Sequence, residues 1–158
     1  MMIYPTKIAA HVAAVNAVHA ELNRVMPLLI NRFAPLVGQK IMKTGGLMEK
    51  YKSLLPAITG QDLSIYRNTS AYSLSYTVKA SFCAAAGSGN YSHGIYYEQT
   101  GYVGNLDGYL LKDLYTFTPF RCDYTEAYVL TSRQGVKDAE AALSKAKSAL
   151  NPFGMYDT

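Results

Sequence analysis

From residue 72 to residue 84 the chain alternates without a fault. Tyr72, Leu74, Tyr76, Val78, Ala80, Phe82 and Ala84 hold the even positions, and Ser73, Ser75, Thr77, Lys79, Ser81 and Cys83 hold the odd ones. Successive side chains of a strand point to opposite faces, so this pattern predicts a strand over Ala71–Ala84 with its even face buried. The run Ile95–Val103 reads as a second strand, with Gly104-Asn105-Leu106-Asp107-Gly108 as the turn that follows it. Tyr109, Leu111, Tyr115 and Phe117 alternate through a third strand, Tyr109–Thr118, which Pro119 ends. Cys122, Tyr124, Tyr128 and Leu130 mark a fourth, Arg121–Thr131. Together they predict an antiparallel four-stranded meander within 64–131.

The helical pattern is clearest at the start. Thr6 is a plausible N-cap, and Ile8, Val12, Val15, His19, Leu22, Met26, Leu29 and Phe33 follow at spacings of three and four. Pro27 removes one backbone donor inside this stripe and crowds the carbonyl of Asn23, which predicts a kink or short break between Asn23 and Pro27. A short second helix is expected from Pro35 to Met42, closed by Gly45-Gly46, and a third from Leu47 to about Leu55 ahead of Pro56. Ser132 caps a last helix along Val136, Ala139, Leu143, Ala146 and Leu150, which stops at Asn151-Pro152. The expected fold class is therefore α+β. One domain fills 1–158, with a helical part over 1–60, the sheet over 64–131 and a C-terminal helix over 132–151, and the N-terminal and C-terminal helices pack on one face of the sheet.

Composition changes this picture by making the surface unusually neutral and phenolic. Only 16% of residues are charged, against about 25% in a typical soluble protein, and there are 14 tyrosines. Between Arg24 and Arg67 stand seven basic residues against the two acids Glu49 and Asp62, whereas Glu98 to Glu126 holds five acids against Lys112 and Arg121. The helices are expected to be basic and the sheet acidic, within a net charge of +4.

Motifs with catalytic chemistry do not appear. The sequence holds no Gly-x-Ser-x-Gly elbow, no His-Glu-x-x-His and no Walker or Rossmann glycine set. The glycine-rich stretch 85–94 leads into a strand and carries no lysine, so it reads as a hairpin loop with His93 exposed near its end rather than as a phosphate cradle. His19 lies on the apolar stripe with no carboxylate or cysteine spaced to partner it, which makes it a core histidine with satisfied nitrogens. Asp123 and Glu126 are three apart, which on a strand puts them on opposite faces. Cys83 and Cys122 form no metal-ligand spacing, so no metal and no cofactor is expected, and free thiols fit a cytoplasmic protein. His11, Asn16, His19 and Glu21 interrupt the first apolar run, so neither a signal peptide nor a membrane association is expected.

These features favour a non-enzymatic binding protein of inhibitor type over an enzyme. Its expected contact surface is Tyr91, Tyr96, Tyr97, Tyr102 and Tyr109 together with the loop 87–94, since tyrosine offers large contact area at little entropic cost. In a two-layer fold only one face of a strand is core, so at least one of the adjacent Tyr96 and Tyr97 must point away from the helices. In style the chain is similar to accessory proteins of viruses and mobile elements that block a host factor, and its expected partner is a host or cognate protein. The alternative is nucleic-acid binding through Lys40, Lys43, Lys50, Lys52 and Arg67, in keeping with a pI near 9.0. A small enzyme with a site that no motif announces is the third reading.

Overall fold

The computed structural model describes residues 3–43, 46–57, 63–69, 72–85 and 92–131. In chain order these form β1 (Ile3–Tyr4), α1 (Lys7–Phe33), a 3-10 turn (Ala34–Leu36), β2 (Met42–Lys43), β3 (Gly46–Leu47) and a second 3-10 segment (Glu49–Leu54). They continue with β4 (Leu63–Thr69), β5 (Ser73–Ala85), β6 (Ser92–Asp107), β7 (Leu110–Leu114) and α2 (Glu126–Thr131). The class is α+β, one long helix against a mostly antiparallel sheet.

Thr6 caps α1 as its position predicts, its Oγ1 accepting from Ala9 N at 3.0 Å. The helix then runs from Lys7 to Phe33 without the expected break. Pro27 sits on the exposed side, where water can satisfy the carbonyl left without a donor. α1 lies across β5 and β6 and buries Val15, Val18, Leu22, Val25, Met26, Leu29 and Phe33 against Leu74, Tyr76, Val78, Ala80 and Phe82. The even face of β5 is thus the core face from Leu74 onward. Tyr72, just before the strand, is instead 78% exposed.

Among the described residues the sheet is mixed and five-stranded, which corrects the four-stranded meander. β5 pairs antiparallel with β4 and β6, and β6 pairs with β7, while the two residues of β1 pair parallel to Cys83 and Ala84 at the far end of β5. β4 and β1 therefore share one side of β5. The segment 38–41 runs along the outer side of β7, with Gly38 N donating to Leu111 O, Leu111 N to Gln39 O and Ile41 N to Tyr109 O, so this edge does not stand open. The turn between β6 and β7 is tighter than the glycine pattern implied. Gly108 and Tyr109 take it with φ of 56° and 70°, both left-handed, and Gly104 to Asp107 stay in β6 around a bulge.

The largest departure follows β7. Residues 115–125 adopt no regular structure, and Glu126–Thr131 is helical, so the expected strands Tyr109–Thr118 and Arg121–Thr131 are respectively cut short at Leu114 and absent. The expected helix from Pro35 to Met42 is a single 3-10 turn followed by β2, and the third helix is the 3-10 segment Glu49–Leu54. Arg24 and Arg32 on α1 hold that region by donating to Ala57 O and Leu54 O. The C-terminal helix expected over 132–151 lies outside the described residues.

Candidate functional site

The two faces of the sheet differ in chemistry because β5 and β6 keep their alternation in register. On the outer face, away from α1, Ser81 stands opposite Tyr96, Lys79 opposite Glu98, Thr77 opposite Thr100 and Ser75 opposite Tyr102. A bulge at Leu74/Ser75 then brings Asn105 opposite Ser73. Tyr96 is 56% and Tyr102 52% exposed, and Tyr115, just past β7, is 40% exposed. Two aromatic stations result. At one, the Lys79 ammonium sits 5.1 Å from the centre of the Tyr96 ring. At the other, Tyr102 and Tyr115 have ring centroids 5.8 Å apart, and the Tyr115 hydroxyl donates to Asn105 Oδ1 at 2.7 Å. Asn105 Nδ2 in turn donates to Asp113 Oδ1, so these side chains are oriented before any partner arrives. Between the stations Thr77 and Thr100 share a hydroxyl bond of 2.8 Å.

Tyr97 belongs to the opposite face and does not join this surface. It is 4% exposed, and its hydroxyl lies 2.9 Å from His19 Nε2. The other imidazole nitrogen, Nδ1, lies 2.6 Å from Arg121 O. A carbonyl only accepts, so Nδ1 carries the hydrogen and Nε2 accepts from Tyr97. His19 is the satisfied core histidine its neighbours implied, with burial holding its pKa below the ordinary value and burial likewise pushing the Tyr97 phenol up. Above it runs the irregular segment 115–125, and Phe120 stacks on the imidazole at 5.0 Å.

Of the remaining expected contacts, Tyr109 is at the hairpin tip and half-buried against the core, and Tyr91 lies outside the described residues, as does most of the loop 87–94. Lys40, Lys43, Lys50 and Lys52 are all exposed around the β2–β3 hairpin, with Lys52 paired to Glu49 at 2.8 Å and Lys50 lying over the Tyr51 ring. Arg67 is on β4, on the other side of β5 from β6 and β7, whereas Lys40 bridges to Leu110 of β7. The five cations therefore do not share one sheet edge. Asp123 pairs with Arg121 at 2.7 Å rather than with Glu126.

Sequence reasoning missed Tyr115 and Lys79. Lys79 was legible as the single cation on the odd face of β5, and register was the absent information that put it beside Tyr96. The arrangement defines an α+β protein whose sheet turns one face to a helix, while on the other Tyr96, Tyr102 and Tyr115 are exposed around the buried hydroxyls of Ser75 and Thr77 and the Lys79–Glu98 positions. No family model matches the chain, and no curated protein or solved structure matches it either.

Proposed function

We propose that the chain is a non-enzymatic binding protein whose outer sheet face contacts a protein partner, with Tyr96 and Tyr102 as anchors. The observation that carries this reading is the exposure of those two phenols on one face, oriented by Lys79 and by the Tyr115–Asn105–Asp113 chain of hydrogen bonds. Exposed tyrosines held in place lose little entropy on binding and offer both ring surface and a hydroxyl, which is why they recur as interface anchors. Between them lie the opposite charges of Lys79 and Glu98 and the hydroxyls of Thr77 and Thr100, so no net charge has to be desolvated. A partner that such contact blocks would make the chain an inhibitor.

A second reading rests on the four exposed lysines between Lys40 and Lys52, which form a basic protrusion suited to phosphate. It is the weaker one, because Lys52 is engaged by Glu49 and Arg67 stands on another edge. A pull-down with the full chain, with and without nuclease, separates the two. Retention of one protein after nuclease, and its loss with Tyr96→Ala/Tyr102→Ala, supports the sheet face; capture that nuclease abolishes refutes it.

A further inference from the structure

Residues 120–124 are bound to α1 in the manner of a ligand. Asn16 and Asn23, seven residues apart on α1, each form a two-bond clasp with the main chain of that stretch. Asn16 donates from Nδ2 to Tyr124 O at 2.7 Å and accepts from Tyr124 N at 2.9 Å. Asn23 donates to Phe120 O at 2.9 Å and accepts from Phe120 N at 2.8 Å. Between them His19 Nδ1 donates to Arg121 O. A side-chain amide presents one donor and one acceptor side by side, as a neighbouring strand does, so α1 offers the segment an artificial strand edge. Two helical turns span about 10.5 Å, and extended chain covers about 3.3 Å per residue, so clasps seven apart on a helix meet residues three to four apart on an extended strand. The running directions are antiparallel, since Asn16 meets Tyr124 and Asn23 meets Phe120.

Two aromatics of this stretch pack against His19, and Phe117 packs partly buried beside them, its ring centroid 5.8 Å from that of Phe120. Phe120 stacks on His19, and Tyr124 is buried with its ring 6.4 Å from the imidazole. Thr116, Thr118, Pro119, Arg121, Cys122 and Asp123 are exposed. The five clasp bonds are to main-chain atoms, whose N–H donors any residue but proline supplies, and Asn23 Nδ2 also lies 3.8 Å from Cys122 Sγ.

We propose that Asn16, His19 and Asn23 form a seat for an extended peptide carrying aromatic side chains at positions i and i+4, and that residues 120–124 are its resident internal occupant. A partner segment of that pattern enters by displacing the resident one. The covalent tether to β7 and α2 favours the internal occupant with an effective concentration of about 1 mM or more, so an outside peptide competes only when the resident is weakened or the peptide is abundant. This seat is on α1 and does not depend on the outer sheet face.

The test uses a fluorescein-labelled peptide of residues 116–125 with serine in place of its cysteine, and the full chain carrying Phe120→Ala/Tyr124→Ala. Saturable binding is expected, about tenfold or more tighter than to the unmodified chain, lost when Asn16→Ala and Asn23→Ala are added, and absent for a peptide with alanine at both aromatic positions. Tyr96→Ala/Tyr102→Ala should leave this binding unchanged, which keeps the seat distinguishable from the sheet-face contact. In the unmodified chain, excess peptide at several millimolar should speed hydrogen exchange at the Phe120 and Tyr124 amides, a readout that needs no weakened variant. No binding by the folded weakened variant, binding indifferent to Asn16 and Asn23, or unaltered exchange at those two amides would overturn the proposal.

Discussion

Replacing Tyr97 by phenylalanine removes one oxygen atom and leaves the ring, so it isolates the bond that ties α1 to β6 at the centre of the molecule. The hydroxyl has a single hydrogen. His19 Nε2 takes it at 2.9 Å in preference to Gln99 Oε1 at 3.4 Å. Both partners are buried, His19 at 2% exposure, so no water replaces the lost donor. Losing a partner in that setting leaves a desolvated acceptor, which costs about 1–3 kcal/mol rather than the ~1 kcal/mol net worth of an ordinary bond. Against a total stability of about 5–15 kcal/mol, that is a visible fraction. Urea unfolding followed by circular dichroism should show a lower midpoint with an unchanged slope, and the melting temperature should fall by about 3–10 °C. In a double-mutant cycle, adding Tyr97→Phe to His19→Leu should cost much less than it does alone, because Nε2 is already gone, with a coupling of about 1 kcal/mol or more. A loss below about 0.5 kcal/mol, or no coupling, would refute the assigned donor and with it the tautomer of His19.

Acid should weaken the fold through its buried imidazoles. Burial, with Lys7 adding to it, lowers His11 to about 4, and burial also lowers His19. Below the ordinary value of 6.5 the unfolded chain takes up these protons first, so the stabilisation is complete above pH 6.5 and drains away as pH falls towards 4. Unfolding midpoints at pH 7 and pH 5 should differ accordingly, and His11→Leu should flatten the difference at little cost at pH 7, since neither ring nitrogen has a hydrogen-bond partner among the described residues. Gly104→Ala should destabilise by about 1–3 kcal/mol, because the added methyl meets the Asp113 carbonyl oxygen on β7; Gly101→Ala, whose methyl meets only the flexible end of Met26, should cost less in the same denaturation assay. Phe82→Ala should remove about 3–5 kcal/mol together with the Tyr4 stack at 5.5 Å, and an unchanged melting temperature would contradict the inward face of β5.

What was legible in the sequence was local. The unbroken alternation before Ala84 named β5 and its inner face, and the capped stripe from Thr6 to Phe33 named α1, because both signals lie within the element they describe. β1 is two residues long and exists only because β5 offers it a partner, so no pattern announced it. β4 went unassigned, although Leu63, Ile65, Arg67 and Thr69 take the register positions opposite the core face of β5. The segment 115–125 misled for a physical reason. Tyr115, Phe117 and Tyr124 look like strand alternation, but the partner that satisfies Phe120 and Tyr124 is a pair of asparagine side chains on a helix about a hundred residues earlier. The clue was polar. Asn16, His19 and Asn23 recur at helical spacing along α1, and all three bond main-chain atoms of residues 120–124. For the outer face, the tyrosines were visible as composition, and pairing register decided that Tyr96 and Tyr102 face outward while Tyr97 turns to His19.

Partner affinity over a range of salt decides whether the outer face of β5 and β6 is the contact surface. The unmodified chain is compared with Tyr96→Ala/Tyr102→Ala and with a variant in which Lys40, Lys43, Lys50 and Lys52 are all glutamine. Truncating a buried tyrosine anchor typically costs about 2 kcal/mol, roughly thirtyfold in Kd, so the tyrosine pair should lose at least that much. The lysine variant should bind as the unmodified chain does, and log K should fall only gently with log salt. Full binding by the tyrosine variant, with binding lost and the salt slope flattened in the lysine variant, would contradict the account and place the contact on the basic hairpin.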